Sequence, residues 1–285
     1  MKVKKAVITL AGPDQRKLPL QFLIDREGNE KSVLEFLLDE IKLAGIEKIG
    51  IVHYPGDNST YCNFLGKHAD EVTFIVQNET RGYAHAIYCA AKFTAKEPFL
   101  HLVGDHLYVN RDKTSAAKHI IEIAEKENCS VSSVQPTRES LITHFGVVGG
   151  HRIQGSKDLY KIDKVIEKPT PTEAEQKLLI PGLRAGHYLC FFGMHVLTDT
   201  IMVIIEELLK ANPERRVNLS EALNLLALKE EYIALEKNDL RYDLGTKYGL
   251  LKAQLAVALN GKDRDQLMSE LVEFFVAKDL NQVGK

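Results

Sequence analysis

The feature that most constrains the fold is an alternation, in the first half of the chain, of short apolar runs with amphipathic runs. Residues 6–10, 48–53 and 99–103 are short and apolar at nearly every position, as the strands of a buried parallel sheet are. Between the first two, residues 33–41 carry apolar side chains at helical spacing, and Gly45 stands where a helix would end. This alternation predicts βαβ units, and hence an α/β fold with a Rossmann-like, mostly parallel sheet and helices on both faces.

The second half of the chain has a different pattern. Residues 145–150, 160–166 and 188–193 are strand-like and are separated by loops instead of long helices. Helical periodicity returns later and predicts two helices at the C-terminus, over residues 247–259 and 263–277. We therefore expect a smaller β-rich insertion followed by C-terminal helices.

Composition excludes several classes of protein. The chain has 37 Lys and Arg against 39 Asp and Glu, a net charge of −2, so it carries no bulk electrostatic attraction for nucleic acid or an acidic membrane. No apolar run approaches the ~20 residues of a membrane helix, and the apolar stretch after the basic start is shorter than a signal-peptide core. The four cysteines form no C-x-x-C pair and predict free thiols. We expect a cytoplasmic protein without membrane or nucleic-acid partners.

The loop after the first predicted strand is the first candidate for chemistry. Gly12 follows that strand directly, at the edge of the sheet where ligands bind in α/β folds, and Arg16 and Lys17 follow as possible phosphate ligands. One glycine is not a phosphate-binding fingerprint, so an ordinary βα turn remains an alternative.

Three further candidates carry carboxylates. Asp105 ends a buried strand, where an acid commonly meets a metal or a ligand, and His106 beside it is expected to be a packed polar residue or a supporting contact. Asp243 precedes a Gly-Thr pair, and a helix-capping role is the alternative to metal binding. Glu167 and Lys168 are adjacent opposite charges at a strand end, for which a solvated surface pair is the alternative.

Taken together, these segments resemble the bacterial UDP-glucose pyrophosphorylases and, more broadly, the sugar-1-phosphate nucleotidyltransferases, over nearly the whole chain. The motifs that carry the resemblance are, in chain order, Gln77 with Gly82-Tyr83-Ala84-His85-Ala86, then Phe145-Gly146-Val147-Val148, Glu167-Lys168-Pro169, Gly186-His187-Tyr188, and Arg241-Tyr242-Asp243-Leu244-Gly245-Thr246-Lys247. As a set they are specific, although each alone is weak.

The resemblance implies a GT-A-like nucleotidyltransferase fold. Its main domain would cover residues 1–260, with a nucleotide-binding half over 1–136 and a sugar-binding half over 137–245. The C-terminal helices over 246–285 would be a possible interface of a homo-oligomer, a dimer or a tetramer.

The resemblance also implies a role for each site residue. Leu10, Ala11, Gly12, Gln77 and Gly82 would surround the base. Asp105 and Asp243 would hold Mg²⁺, and Gly146, Glu167 and Gly186 would position the sugar. Arg16, Lys168 and Asp105 would be the catalytic residues, with Lys168 on the sugar phosphate. The reaction needs no protein nucleophile, because the site has only to orient two anions and neutralise their charge.

Departures from the family pattern are concentrated in the loop after the first strand. Asp14 and Gln15 replace a glycine and a threonine of the family signature, and the following segment lacks a lysine that would fall at Leu20 or Gln21. A carboxylate at Asp14 would repel a triphosphate, and a missing cation would remove transition-state stabilisation. Outside this loop, Arg216 stands where the family usually has a glutamate.

Three functions remain open on these grounds. The first is Mg²⁺-dependent nucleotidyl transfer from a nucleoside triphosphate, UTP by default, to a sugar 1-phosphate, glucose 1-phosphate by default. The second is a catalytically weakened homologue that binds nucleotide sugars or acts in regulation. The third is a transferase that uses a different phosphosugar or activated donor.

Overall fold

The computed structural model describes residues 1–13, 16–109 and 115–283, with only the backbone given for 278–283. Within these ranges the strands are β1 (Lys5–Thr9), β2 (Phe22–Ile24), β3 (Glu30–Ser32), β4 (Lys48–His53), β5 (Val72–Val76), β6 (Phe99–Val103), β7 (His106–Val109), β8 (Ser130–Arg138), β9 (Gly146–Arg152), β10 (Leu159–Glu167), β11 (His187–Leu197), β12 (Tyr232–Glu236) and β13 (Leu240–Asp243).

Helices connect and cover these strands. The α-helices are α1 (Val33–Leu43), α2 (Asn58–Leu65), α3 (Tyr83–Tyr88), α4 (Ala91–Thr94), α5 (Ala116–Glu127), α6 (Pro171–Lys177), α7 (Thr200–Ala211), α8 (Leu219–Lys229), α9 (Gly249–Ala258) and α10 (Arg264–Val283), and the 3₁₀ helices are Leu18–Leu20, Gly66–Glu71 and Glu139–His144. None of the described helices is both long and apolar enough to cross a membrane.

One central sheet of nine strands organises the molecule, in the order β5-β4-β1-β6-β11-β8-β12-β10-β9. The first four strands are parallel, so their carboxyl ends share one edge. The long strand β11 joins β6 antiparallel, and the rest of the sheet is mixed, with β12 parallel to β8. The predicted α/β class is confirmed, and the strands of the second half add the expected β-rich part.

Apolar cores lie on both faces of this sheet. On one face α1 and α5 pack through side chains such as Leu37 and Ile120, and on the other α3, α7 and α8 pack through side chains such as Ile87, Ile204 and Leu223. The start of α1 shows why a sequence pattern suffices locally. Ser32 and Glu35 form a reciprocal capping box, in which each side chain accepts a hydrogen bond from the backbone of the other.

Several elements were not predicted from the sequence. They include the hairpin of β2 and β3, the ribbon of β7 and β13, and helices α2 and α6. Thr170 caps α6 by accepting a hydrogen bond from the Glu173 amide. The β7–β13 ribbon is the addition that matters for function, because it carries Asp243 to the edge of the main sheet.

Candidate active site

An open cavity of about 500 Å³ lies at the edge where the parallel strands β1 and β6 end, the usual position for a ligand in an α/β fold. Ten of the predicted site residues line it: Leu10, Ala11, Gly12, Gln77, Gly82, Asp105, Gly146, Glu167, Lys168 and Asp243. The fold thus brings together residues from both halves of the chain. Arg16 and Gly186 are not among the lining residues.

Two carboxylates and an imidazole meet at one end of the cavity. Asp105, His106 and Asp243 each offer a ligand atom, and these atoms lie within 4.8 Å of one another. The β7–β13 ribbon creates this arrangement, because Asp243 pairs with His106 in the antiparallel register and the Leu244 amide donates to the Asp105 carbonyl at 2.9 Å. Asp243 therefore ends a strand and does not cap a helix; α9 begins at Gly249.

His106 supports Asp105 directly. Its Nδ1 lies 2.7 Å from Asp105 Oδ1, and because a carboxylate only accepts, the imidazole donates. Burial acts to raise the pKa of Asp105, but the hydrogen bond and charge of His106, together with the charge of Arg241, outweigh burial and hold that pKa below its usual value. Asp105 is therefore an ionised, oriented oxygen donor. Asp243 is oriented too, since its Oδ1 accepts from the Gly245 amide at 2.9 Å.

Arg241 ties the ribbon to the main sheet. Its guanidinium donates to the Phe191 carbonyl of β11 and lies 4.5 Å from the centre of the Phe145 ring and 6.0 Å from that of Phe192. Burial lowers the pKa of Arg241, and the acids around it act in the opposite direction. A planar guanidinium suits this position because it stacks on rings and donates at the same time. Arg241 holds Asp243, two residues further on, against Asp105.

The segment after β5 forms a second wall of the cavity. The Gln77 side chain is 4% exposed, and its Nε2 lies 3.3 Å from the Gly82 carbonyl oxygen and 3.1 Å from His85 Nδ1. Gly82 has φ +101°, and a Cβ there would lie 2.5 Å from the carbonyl oxygen of Val217. A glycine is required at this position, because both the backbone conformation and the close approach of a neighbouring segment exclude a side chain.

Glu167 and Gly146 are neighbours among the residues that line the cavity. Ser220 Oγ donates to Glu167 Oε2 at 2.5 Å, and a Cβ on Gly146 would lie 2.7 Å from both Ser220 Oγ and the Phe191 ring. Lys168 has φ +49°, an uncommon conformation for a lysine, and its amide donates to the Phe145 carbonyl at 2.9 Å. Lys168 lines the cavity, and among the described residues no carboxylate forms an ion pair with its ammonium.

Arg16 points elsewhere. Its guanidinium lies 3.1 Å from the Asp57 carboxylate and 4.8 Å from the centre of the Tyr54 ring, and Tyr61 donates to its carbonyl oxygen. With Lys17, Leu20 and Gln21, it lines a smaller cavity of about 270 Å³. Its catalytic role therefore stays a prediction that requires this ion pair to open. Asp14 and Gln15, on which the sequence departs most from the family pattern, lie outside the described residues.

Gly186 lies at an exposed turn with φ +68°, and its sugar-binding role stays a prediction. A different glycine of the same region, Gly193 in β11, does line the cavity. Its φ is +86°, and a Cβ there would lie 2.8 Å from Val103 Cγ2. Gly186 was predicted from the Gly186-His187-Tyr188 motif, and no motif of the resemblance included Gly193.

Three contributors to the site were left without a role in the sequence analysis: Gly193, Ser220 and Arg241. Each acts through a partner far away in the chain, so no local pattern identifies it. Arg216, the cation in place of the family glutamate, also lines the cavity beside the Gln77 segment.

Comparison with known proteins is consistent with this geometry. The chain matches the nucleotidyl transferase family over residues 21–259. The UTP–glucose-1-phosphate uridylyltransferase 2 of Streptococcus pyogenes serotype M3 is 27% identical to it, and the alignment covers 95% of this chain and 96% of that protein.

Solved structures share the fold. A UDP-glucose pyrophosphorylase complexed with UDP-glucose superposes with a TM-score of 0.73 at 22% identity, covering 89% of this chain and 98% of that one. A UTP-bound UDP-glucose pyrophosphorylase from Acinetobacter baumannii superposes with a TM-score of 0.71 at 20% identity. The superposition covers 95% of this chain and 98% of that one. Since the family match spans most of the chain and the site residues converge in one cavity, this protein belongs to the nucleotidyl transferase family and is a transferase.

Proposed function

We propose that the protein transfers a uridylyl group from UTP to glucose 1-phosphate in a Mg²⁺-dependent reaction, giving UDP-glucose and pyrophosphate. A phosphate oxygen of the sugar 1-phosphate attacks the α-phosphorus of UTP. The bond from that phosphorus to the oxygen bridging to the β-phosphate breaks, and its electron pair leaves with pyrophosphate. The convergence of Asp105, Asp243 and Lys168 in one cavity carries this proposal, because two anions must be held side by side while charge accumulates between them.

The acids at the end of the cavity fit a hard divalent cation. Asp105 and Asp243 supply carboxylate oxygens, the donors that Mg²⁺ prefers, and oxygens of phosphate and water would complete the coordination. His106 is already engaged with Asp105, so we assign it to orienting that carboxylate. A bound Mg²⁺ would neutralise phosphate charge and activate the α-phosphorus.

The Gln77 segment fits an imide base such as uracil. Gln77 Nε2 is directed at the Gly82 carbonyl and His85, which leaves Oε1 as an acceptor on the cavity side. Uracil offers an N3–H donor to that oxygen, whereas cytosine presents an acceptor at the same position. This arrangement, together with the UTP and UDP-glucose bound by structural relatives, supports UTP as the nucleotide.

The sugar side uses residues of the second half, within the proposed boundaries 137–245. Ser220 holds one oxygen of Glu167, and the other remains free to accept from sugar hydroxyls. Gly146 keeps Glu167 and Ser220 in this arrangement, because a Cβ there would lie 2.7 Å from Ser220 Oγ and 3.1 Å from Glu167 Oε2. Lys168 supplies a cation for the phosphate of the sugar 1-phosphate.

We further propose that the protein is a cytoplasmic homo-oligomer. Helix α10 exposes Met268, Val272, Phe274, Phe275 and Val276. Exposed aromatic side chains on one helix are typical of a subunit contact. Light scattering coupled to size-exclusion chromatography measures the oligomeric state. A monomer at micromolar concentration would contradict the proposal.

Pyrophosphate release across a matrix of nucleoside triphosphates and sugar 1-phosphates tests the reaction. The pair UTP and glucose 1-phosphate should give the highest kcat/KM, with strict dependence on a divalent cation. Binding of UDP-glucose without turnover on any pair would overturn the proposal in favour of a binding protein. A higher kcat/KM on another pair would keep the transferase and replace the substrates.

A further inference from the structure

The side-chain amide of Gln77 is held by the Gly82 carbonyl and the His85 ring, both a few residues further along the chain. Nε2 lies 3.3 Å from the Gly82 carbonyl oxygen and 3.1 Å from His85 Nδ1. The backbone of Gln77 is anchored as well, since its amide donates to the His53 carbonyl at 3.0 Å. The side chain is buried apart from the part that lines the cavity, so rotation of the amide about its last bond is the main freedom left.

The hydrogen-bond chemistry permits one arrangement. A backbone carbonyl only accepts, so the nitrogen of the Gln77 amide must face Gly82. The second hydrogen of that nitrogen then points at His85 Nδ1, which must accept. His85 is therefore neutral, with its proton on Nε2. The carbonyl oxygen of Gln77 has no hydrogen-bond partner among the described residues and is left to the cavity.

We propose that His85 is a positioning residue for base selection: as a neutral acceptor it fixes the Gln77 amide so that Oε1, and not Nε2, is presented to the nucleotide base. The inference rests on the proposed uridylyl transfer and goes one step further, because it assigns the choice between uracil and cytosine to a residue that does not touch the nucleotide. With His85 protonated, two donors would face each other, and the amide would lose its preference for a base that donates.

The surroundings of His85 favour the neutral form. Burial lowers its pKa, and the positive charge of Arg81 acts in the same direction, whereas a hydrogen bond to the Glu79 carbonyl and the Glu79 charge oppose them. Cys89 lies 4.0 Å from Nε2, and burial raises the pKa of its thiol, so that neighbour stays uncharged at neutral pH. The uracil preference should therefore persist at neutral pH and decline in acid, below the ordinary histidine value of about 6.5.

Two variants separate the effect of the acceptor atom at position 85 from the effect of protonating His85. In His85→Asn the Oδ1 atom takes the place of Nδ1, keeps an acceptor for Gln77 and does not titrate. In His85→Leu the acceptor is removed. The readout is the ratio of the dissociation constants for CTP and UTP, measured by calorimetry at about pH 8 and about pH 5.5, because protonation of the triphosphate cancels in that ratio.

The wild type should prefer UTP at the higher pH and lose that preference on the order of tenfold at the lower pH. His85→Asn should keep the preference at both values, and His85→Leu should lose it at both. A UTP preference in His85→Leu equal to that of the wild type, or a decline in acid that His85→Asn shares, would overturn the inference and leave the proposed function intact. Absence of UTP binding in the folded wild type would overturn both.

Discussion

Asp243 lies opposite His106 in the antiparallel ribbon of β7 and β13, which brings its carboxylate next to that of Asp105 although nearly half of the chain separates the two acids. The ribbon is short, and Arg241 of β13 and Tyr108 of β7 attach it to β11 by donating to the carbonyls of Phe191 and Gly193. The geometry of the proposed metal site is therefore a property of tertiary packing, since neither acid is placed by its own strand alone.

The two acids are tested by Asp105→Asn and Asp243→Asn. An amide keeps the size of the side chain and its acceptor oxygen, so the contacts with His106 and with the Gly245 amide persist, but the charge that a hard cation prefers is lost. We expect kcat/KM to fall on the order of 100-fold or more, with a melting temperature close to that of the wild type. Asp70→Asn, at an exposed position outside the cavity, is the control. Full turnover of either site variant at low Mg²⁺ would rule out the two-aspartate site.

Lys168 is tested against a lysine of the same segment. Lys168→Ala should weaken binding of the sugar 1-phosphate by roughly 1.5–3 kcal/mol, because a charge-assisted contact is removed, and should change UTP binding much less. Lys164→Ala removes an exposed lysine of β10 that does not line the cavity and should change neither. Calorimetry with each ligand separates the two effects. Equal losses for UTP and the sugar phosphate would contradict the assignment of Lys168.

Gly146 is tested by adding one carbon. The Cβ of Gly146→Ala would lie 2.7 Å from Ser220 Oγ and 3.1 Å from Glu167 Oε2, so Glu167 has to move. We expect the KM for the sugar 1-phosphate to rise about tenfold or more while the KM for UTP changes little, because overpacking here displaces a sugar ligand and not the base. Steady-state kinetics with each substrate varied in turn measures both. An unchanged sugar KM would show that Glu167 does not bind the sugar in the position assigned to it.

The buried histidine beneath the cavity predicts how stability depends on pH. Burial lowers the pKa of His101 to about 4, and its ring is neutral, donating through Nδ1 to the Val7 carbonyl and accepting at Nε2 from Tyr83. Above about pH 6.5 both the folded and the unfolded protein carry it neutral. Below that value only the unfolded chain protonates this histidine, so His101 by itself lowers the free energy of unfolding by about 1.4 kcal/mol per pH unit until its folded-state pKa is reached.

Urea unfolding at a series of pH values between neutrality and about pH 4 measures this slope. His101→Gln should reduce the slope, whereas His144→Gln, at an exposed position, should leave it unchanged. A slope that is the same in His101→Gln and in the wild type would show that the dependence comes from other groups.

The sequence by itself determined the elements whose signal is local. The strands at 48–53 and 99–103 have the bounds that were predicted, because a buried parallel strand is apolar at nearly every position and needs no partner to be recognised. The apolar stripe over residues 33–41 predicted the helix α1, whose observed capping box at Ser32 and Glu35 is equally local. The family resemblance added the candidate ligands, and ten of them line one cavity.

Only the tertiary structure decided the rest, because the deciding contacts join residues that are far apart in the chain. Pairing of β7 with β13 brings Asp243 to Asp105, and the ion pair with Asp57 directs Arg16 away from the cavity. Gly193 lines the cavity because its strand, β11, pairs with β6. The spacing of residues along the chain does not predict which strand pairs with β11. Local patterns specify elements through short-range sterics and burial, whereas a site at the edge of a sheet depends on the order and register in which those elements pair.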